Sequence, residues 1–215
     1  MYEHGTLARP PRRADSGYRL VSWILAVLAA LALAAFWRER HRAVAQPPGV
    51  LASAEPRQTA LDGNVPPIQR GAFLITPAAR FELQARVLSR ADYHLGKESD
   101  LSPTDLVLGW ERMSDSSVLA RIDVTQSGRW YHWYTADPPI PLGEIGHESA
   151  NMHMIPADAT VAARLARVRE GELVHLSGYL VNVTENGTGW SWRSSLSRDD
   201  TGGGSCELVY VESLD

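Results

Sequence analysis

The chain of 215 residues has a single cysteine, Cys206, and a single lysine, Lys97. One cysteine excludes an internal disulfide and any zinc site built from several thiolates. The formal net charge of −4 and the scattered arginines do not provide the clustered basic face that nucleic-acid binding needs. We therefore expect no disulfide scaffold and no nucleic-acid partner, and no motif calls for a cofactor.

A long apolar run, VSWILAVLAALALAAFW, occupies residues 21–37. As a helix it is about 25 Å long, at the short end of what crosses a hydrocarbon core of about 30 Å. The run is apolar on every face and is bounded by Arg19 and by RERHR, residues 38–42, which disfavours a buried core helix. We predict a short tail over residues 1–20 and a transmembrane helix over residues 21–37, with the lipid bilayer as its partner.

A cleaved signal peptide is the alternative interpretation of this segment. AVAQ, residues 43–46, contains an Ala-x-Ala pattern that would be cut after Ala45. The apolar run is longer than the usual signal core of about 7–15 residues, and RERHR separates it from that pattern. These two features favour an uncleaved signal anchor.

Arginines flank both ends of the apolar run in similar number, so the positive-inside rule comes close to a tie. A short tail before a single anchor, with a whole domain after it, favours export of the domain. We expect a single-pass protein of the bacterial inner membrane with its C-terminal domain in the periplasm.

After the anchor, residues 38–70 carry proline pairs and lack apolar periodicity. Proline favours extended backbone, so this composition predicts a semi-rigid linker. The folded domain is expected over residues 71–215, which is within the usual size of one domain.

Several segments of the domain have the alternation of half-buried strands. FELQARVLS places Phe81, Leu83, Ala85 and Val87 on one face. RIDVTQSGRWYHWY predicts two strands joined at residues 126–128. Further strands are predicted in three segments: GELVHLSGYLV with a bulge or bend at Gly178, GWSWRSSLS, and CELVYVESL.

Two segments have helix signals. DATVAARLARVREGE has Asp158 as a candidate N-cap, helical spacing of its apolar residues, and Gly171 as a stop. SPTDLVLGWERM also predicts a short helix, with Ser102 as N-cap and Asp105 at capping-box spacing. The predicted class is therefore mainly β with one or two helices, built on a small curved antiparallel sheet that forms a barrel or a sandwich.

The order of strands, then a helix, then the glycine-bent strand GELVHLSGYLV resembles a five-stranded barrel of the oligonucleotide/oligosaccharide-binding type. That barrel carries its helix before its fourth strand. The strings SPTDLVLGW, SANMHMIPAD and GELVHLSGYLV also resemble a group of uncharacterised membrane-anchored bacterial proteins, over most of residues 73–212. The resemblance implies an anchored β domain and no particular activity.

The stretch HESANMHMIPAD, residues 147–158, holds the candidates for metal or acid–base chemistry, His147, Glu148 and His153. A metalloprotease helix needs histidine at position 151, where this chain has asparagine. The structural alternative is a short buried strand of Met152, Met154 and Ile155, in which Asn151 and His153 hydrogen-bond a neighbouring turn. The pattern favours the strand, although a metal site that also uses His132 stays possible.

Aromatic residues are concentrated in two strands, and half-buried strands must leave some of these rings outward. Exposed rings beside arginines stack on sugars, peptides or bases, whereas rings that only fill the core would not bind a ligand. The candidate ligand-binding residues are Trp130, His132, Trp133, Trp190, Trp192 and Arg193.

The favoured function is a membrane-anchored protein whose extracytoplasmic domain binds a partner protein or a cell-envelope component. An envelope hydrolase or metal-dependent enzyme that uses the His132, His147 and His153 region is one alternative. A purely structural subunit of a membrane complex is the other. No catalytic residue is assigned from the sequence.

Overall fold

The computed structural model describes residues 16–40, 42–197 and 205–215. The chain divides into two compact units, Met1–His41 and Arg42–Asp215. Most of the predicted N-terminal tail, residues 1–15, lies outside the described residues.

The N-terminal unit contains one helix, α1, Ser16–Arg40. Its segment Tyr18–Phe36 has a mean hydropathy of 2.2, is nowhere buried within the protein, and is long and apolar enough to cross a membrane. Its 25 residues extend about 37 Å at 1.5 Å per residue. The apolar helix predicted at residues 21–37 is confirmed, with wider bounds.

The second unit is mainly β, as predicted. Its strands are β1 Arg57–Thr59, β2 Ile68–Arg70, β3 Phe73–Asp92, β4 Thr104–Gly109, β5 Asp123–Ser127, β6 Trp130–Tyr134, β7 Ser149–Pro156, β8 Leu173–Glu185, β9 Ser191–Arg193 and β10 Glu207–Leu214. Its helices are α2 Lys97–Leu101, α3 Ser116–Leu119, α4 Leu142–His147 and α5 Ala159–Leu165, with a 3₁₀ turn at Glu111–Ser114. The domain thus has more short helices than the one or two predicted.

Strand β3 organises the sheet. Along one edge it pairs with β8, and along the other it pairs in turn with β2, β1 and β4. Phe81, Leu83, Ala85 and Val87 are buried on one face while Glu82 and Gln84 are exposed, which confirms the alternation in FELQARVLS. The strand is 20 residues long and shifts register twice, which allows a strand of this length to bend around the core.

The strand pairings form a ring: β3 pairs with β4, β4 with β7, β7 with β10, β10 with β8, and β8 with β3. Every pair in the ring is antiparallel except β7–β10, which is parallel. The predicted curved sheet is therefore mixed, with one parallel pair among antiparallel ones. Because the ring has an odd number of strands, their directions cannot alternate all the way round, and one parallel pair is required.

The interior of the ring is apolar. The largest buried cluster takes side chains from all five strands, and Val161 and Leu165 of α5 pack against it. At Gly178 of β8, a Cβ atom would lie only 1.9 Å from the Tyr210 carbonyl oxygen, and the register of the facing strand β10 shifts between Val211 and Ser213. The predicted bend at Gly178 thus corresponds to a close backbone approach.

The segment SPTDLVLGWERM forms strand β4 over Thr104–Gly109 and then enters the 3₁₀ turn at Glu111–Ser114, in place of the predicted helix. All six residues of β4 are buried, with Leu106 and Leu108 in the ring interior and Val107 in a second cluster on the opposite face. A strand buried on both faces is apolar along its length and shows no alternation. The helix prediction failed because it relied on the cap-like residues Ser102 and Asp105, while the segment has no helical periodicity of apolar residues.

The segment predicted as a linker over 38–70 belongs to the folded unit from residue 42 onward. Residues 44–52, here called the strap, run along the domain: the Val44 N–H donates to the Glu170 carbonyl at 2.7 Å, and the Ala52 side chain is buried in the core. The Ser114 hydroxyl accepts the N–H groups of Leu51 and Ala52 at 2.9 and 3.0 Å. Buried backbone groups need such partners. The proline-rich segment is therefore extended, and hydrogen bonds hold it against the domain.

Helix α5 begins as predicted at Asp158, whose carboxylate accepts the N–H groups of Thr160 and Val161 at 2.7 and 2.9 Å. It ends at Leu165, before the predicted stop at Gly171. The helix connects β7 to β8. His153 of β7 lies on the strand face opposite the one that packs into the interior cluster.

Candidate functional site

Strands β5 and β6 form a separate hairpin over the second cluster of buried apolar residues. Val124, Tyr131 and Trp133 face that cluster, whereas Trp130 and Tyr134 are 42% and 66% exposed. The two turn residues, Gly128 and Arg129, both have positive φ, at 57° and 67°. Two residues with positive φ are typical of the type I′ turn whose twist matches a hairpin.

The side chain of Arg129 reaches from this turn into the buried face of the sheet. Its Nη1 donates to Asp105 Oδ1 at 2.9 Å and its Nη2 donates to the Ser102 carbonyl at 3.0 Å. The guanidinium stacks at 4.3 Å from the ring centre of Tyr93 and 5.3 Å from that of Trp192. A non-glycine residue at positive φ costs about 1–2 kcal/mol, so these contacts offset a real strain.

The hairpin is fixed at further points. The Arg129 carbonyl accepts from Asn151 Nδ2 at 2.9 Å, and Gln126 Nε2 donates to Asn151 Oδ1 at 2.8 Å. The Arg129 N–H donates to the Tyr93 hydroxyl at 2.9 Å. Burial raises the pKa of Tyr93, so this phenol stays neutral across the physiological range.

Asp105 also contacts His153, its register partner on β7. His153 Nδ1 lies 2.9 Å from Asp105 Oδ2, and the two side chains are 5% and 0% exposed. Neither of these two atoms makes a hydrogen bond of acceptable geometry, so the contact is a close approach of the imidazole and the carboxylate. The imidazole also packs on Trp192, with ring centres 4.8 Å apart.

Above this network lies a cleft of about 420 Å³. His153 and Arg129 form part of its wall, and the other lining residues are Glu98, Trp130, Ser191, Trp192, Arg193 and Cys206. A volume of this size is in the range of small-ligand sites, about 300–1,000 Å³. Elements distant in sequence thus converge at one place: α2, the hairpin turn, β7, β9 and the start of β10.

Three polar groups in the cleft wall have no protein partner. Within residues 16–40, 42–197 and 205–215, no hydrogen bond or ion pair is made by the carboxylate of Glu98, the guanidinium of Arg193 or Nε2 of His153. Arg129 and Asp105 instead satisfy each other beneath them. The cleft therefore combines a fixed polar floor with groups that are available to a ligand.

The six predicted ligand-binding residues separate into four environments. Trp130, Trp192 and Arg193 line the cleft. Trp190 packs edge-on against Phe73 and Trp192, with ring centres 5.7 and 6.4 Å away. Trp133 packs beneath the hairpin, and His132 lies on the exposed face of the hairpin.

The weak metal candidates do not come together. His147 ends α4, is exposed, and lies 4.0 Å from Glu55, whereas Glu148 is buried and accepts the Arg112 N–H at 2.9 Å. His153 lies four strand residues beyond Ser149, about 13 Å along β7 at 3.3 Å per residue. Across the described part of the chain, no three residues of the types His, Cys, Asp and Glu are arranged to hold a metal.

Several residues of the site were not among the sequence predictions, including Asp105, Arg129, Glu98 and Ser191. Cys206, the single cysteine, is partly buried and also lines the cleft. The one available signal was Asp105 itself, an acid next to the apolar run LVLG. For SANMHMIPAD the structure has the buried strand of the structural alternative, and Asn151 bonds the hairpin turn, whereas His153 contacts Asp105 and makes no hydrogen bond to a turn.

Comparison of the chain with protein-family models, with curated proteins and with solved structures finds no match.

Proposed function

We propose that the protein is an uncleaved, membrane-anchored binding protein whose β domain binds a small polar component of the cell envelope in the Trp130–Trp192 cleft. One observation carries the proposal: unpartnered polar groups and aromatic rings line a concave site over a buried, ordered ion network. Polar groups that a rigid scaffold leaves without protein partners are the groups that orient a ligand.

The ring of strands supports a barrel of the oligonucleotide/oligosaccharide-binding type. The pairing order β3-β4-β7-β10-β8, with α5 before β8, has the helix before the fourth ring strand as that barrel does. Such barrels bind ligands on the face of their second and third strands, between the loops that follow the first and fourth strands. Here those places correspond to β4 and β7, to the β3–β4 loop with α2, and to the β8–β10 connection with β9. The cleft lies among these elements.

The strap supports an anchor that stays attached. Cleavage after Ala45 would remove the hydrogen bond from Val44 to Glu170 and the contact of the Val44 carbonyl with Gly171. It would also cut the chain next to Gln46, whose Nε2 donates to the Gly171 carbonyl at 3.0 Å. Together with the resemblance to anchored bacterial proteins, this favours an inner-membrane protein with a periplasmic domain.

The Asp105–His153 pair favours a second candidate function, an envelope hydrolase. An acid that orients a histidine is the arrangement that general acid–base catalysis uses, and Cys206 and Ser191 line the same cleft. This version uses His153 and neither His132 nor His147. It predicts turnover of an ester, amide or glycoside that His153→Ala abolishes while Trp133→Ala does not.

Binding is tested with the full-length protein in mild detergent, using Cys206 as the reporter. As the only cysteine, Cys206 is the one position that a thiol dye can label, and because it lies in the cleft wall, calorimetry of the unlabelled protein accompanies the dye measurement. Fractions of envelope glycans, peptides and lipid headgroups should change the dye emission. Trp192→Ala should weaken that response at least tenfold.

Trp133→Ala is the matched control, since this tryptophan packs beneath the hairpin and away from the cleft. It should lower stability and leave the response of the folded protein unchanged. No response to any fraction, or equal loss of binding in both variants, would refute a binding role for the cleft.

The anchor is tested separately by fractionation and by fusion of reporters to the C-terminus. We expect the intact chain to stay in the membrane after carbonate washing, with an active phosphatase fusion and a dark green-fluorescent-protein fusion. A carbonate-soluble chain that begins at Gln46 would show that the segment is a cleaved signal peptide.

A further inference from the structure

The cleft holds one acid and one base that do not neutralise each other. Glu98 and Arg193 both line it, yet they form no ion pair together, and neither side chain has another partner in the described residues. Elsewhere on the domain charged neighbours do pair, as in Arg80–Glu212 and Arg164–Glu172. Opposite charges held apart in one concave site match a ligand that carries both signs.

Aromatic rings accompany these charges. Trp130 is 42% exposed at the cleft, whereas Trp192 is covered in part by the guanidinium of Arg129 at 5.3 Å from its ring centre. An ammonium group is attracted to the face of an indole ring, and a nearby carboxylate adds its own charge attraction. Trp130 and Glu98 therefore provide a site for a cation.

The opposite requirement, an anion site, is met by Arg193. Guanidinium groups bind phosphoryl and carboxylate oxygens with two parallel hydrogen bonds. His153 is 4% exposed, has Asp105 at Nδ1, and keeps Nε2 without a protein partner. When Nδ1 carries the proton towards Asp105, Nε2 is an acceptor, which suits a ligand N–H or O–H and not an anionic oxygen.

We propose that the cleft binds a zwitterionic group, with its ammonium at Glu98 and Trp130 and its phosphoryl or carboxylate at Arg193. This inference rests on the proposed binding function and specifies its ligand class. Phospholipid headgroups and free amino acids or short peptides share this chemistry. A polyanion fits less well, because among the described lining residues Arg193 is the single cation that is not already paired.

The test compares a whole zwitterion with its two halves. Phosphocholine, choline and inorganic phosphate are titrated into the dye-labelled full-length protein, and binding is checked by calorimetry. We expect phosphocholine to bind at least tenfold more tightly than either half. Equal affinity for phosphocholine and for one of the halves would overturn the proposal.

Variants assign each half to its side chain. Glu98→Gln should weaken phosphocholine and choline about tenfold and leave phosphate unchanged, whereas Arg193→Gln should weaken phosphocholine and phosphate and leave choline unchanged. Glu212→Gln is the control, because this acid is paired with Arg80 and does not line the cleft. If neither cleft variant loses affinity selectively for its half of the ligand, Glu98 and Arg193 do not bind the two charged groups and the proposal is wrong.

Two further arms identify the source of the ligand and separate this inference from the proposed function. Vesicles of phosphatidylethanolamine report a lipid headgroup, and glycylglycine reports a peptide terminus; a response to either alone names that source. If envelope fractions change the dye emission while phosphocholine, vesicles and glycylglycine do not, the zwitterion inference fails and the binding function stands. If nothing changes the emission, both fail.

Discussion

Arg129 Nη1 lies 2.9 Å from Asp105 Oδ1, and the Asp105 side chain has no exposure to solvent. The pair joins the hairpin turn to the buried face of β4, and Asp105 in turn contacts His153 at 2.9 Å. Two groups that are distant in sequence, Arg129 and His153, therefore contact a single carboxylate. The orientation of the cleft floor depends on that carboxylate keeping its charge.

Asp105→Asn keeps the shape of the side chain and removes the charge, so it tests this dependence. Leaving a buried cation without its partner costs about 3–5 kcal/mol. We expect a loss of that order in the free energy of unfolding, measured by urea titration of tryptophan fluorescence in mild detergent. Glu82→Gln breaks the exposed pair with His175, whose side chains are 48% and 50% exposed, and should cost less than about 1 kcal/mol. Similar losses in both variants would contradict the buried-pair account.

The contacts of Asp105 with Arg129 and His153 are a part of the structure that the sequence could not predict. Alternation predicted β3 because Phe81, Leu83 and Ala85 face one continuous core, and local caps predicted the start of α5 at Asp158. The pairing of Asp105 with His153 depends on the register of β4 against β7, and no local pattern encodes that register. Arg129 was hidden for a related reason, since a positive φ at an arginine is set by contacts across the fold.

A second prediction concerns Gly178 and the closure of the ring. A Cβ at this position would lie 1.9 Å from the Tyr210 carbonyl oxygen, so Gly178→Ala must push β8 and β10 apart. We expect a loss of several kcal/mol, or failure to fold, because backbone atoms cannot move aside cheaply.

Gly143→Ala is the matched substitution for Gly178→Ala. Gly143 lies in α4 with open space around its Cβ position. Replacing a helical glycine by alanine stabilises by roughly 0.5–1 kcal/mol. Thermal unfolding measures the stability of both variants relative to the wild type. A Gly178→Ala protein as stable as the wild type would disprove the close approach.

A third prediction concerns pH and Glu148. Burial raises the pKa of Glu148, and the charges of Glu111 and Glu144 act in the same direction against the opposing N–H of Arg112. A carboxyl whose folded pKa is raised favours the folded state below its unfolded pKa, and this contribution is lost as pH rises through the folded pKa. Glu148→Gln should therefore be more stable than the wild type near pH 7, and the difference should shrink towards pH 4.

Urea titrations between pH 4 and pH 7.5 measure that difference. Glu144→Gln is the control, because Glu144 is about 38% exposed and pairs with Arg112 at the surface. Its effect should be small throughout this range. A Glu148→Gln protein that loses stability equally at pH 4 and pH 7 would show that the carboxylate acts as a needed acceptor and not as a buried charge.

The last prediction distinguishes the effect of backbone strain from the effect of displacing the strap, residues 44–52, from the domain. Gly171 and Gly187 have nearly equal positive φ, 79° and 77°, so alanine at either position carries a similar strain of about 1–2 kcal/mol. Only at Gly171 would the new Cβ meet another segment, at 2.1 Å from the Val44 carbonyl oxygen; at Gly187 it meets nothing. Gly171→Ala should therefore displace residues 44–52 in addition to lowering stability, whereas Gly187→Ala should lower stability alone. Trypsin cleavage at Arg42 and Arg57 of the full-length protein reports this displacement, and cleavage should become faster in Gly171→Ala only. Equal cleavage rates in the two variants would mean that the strap does not depend on Gly171 for its place on the domain.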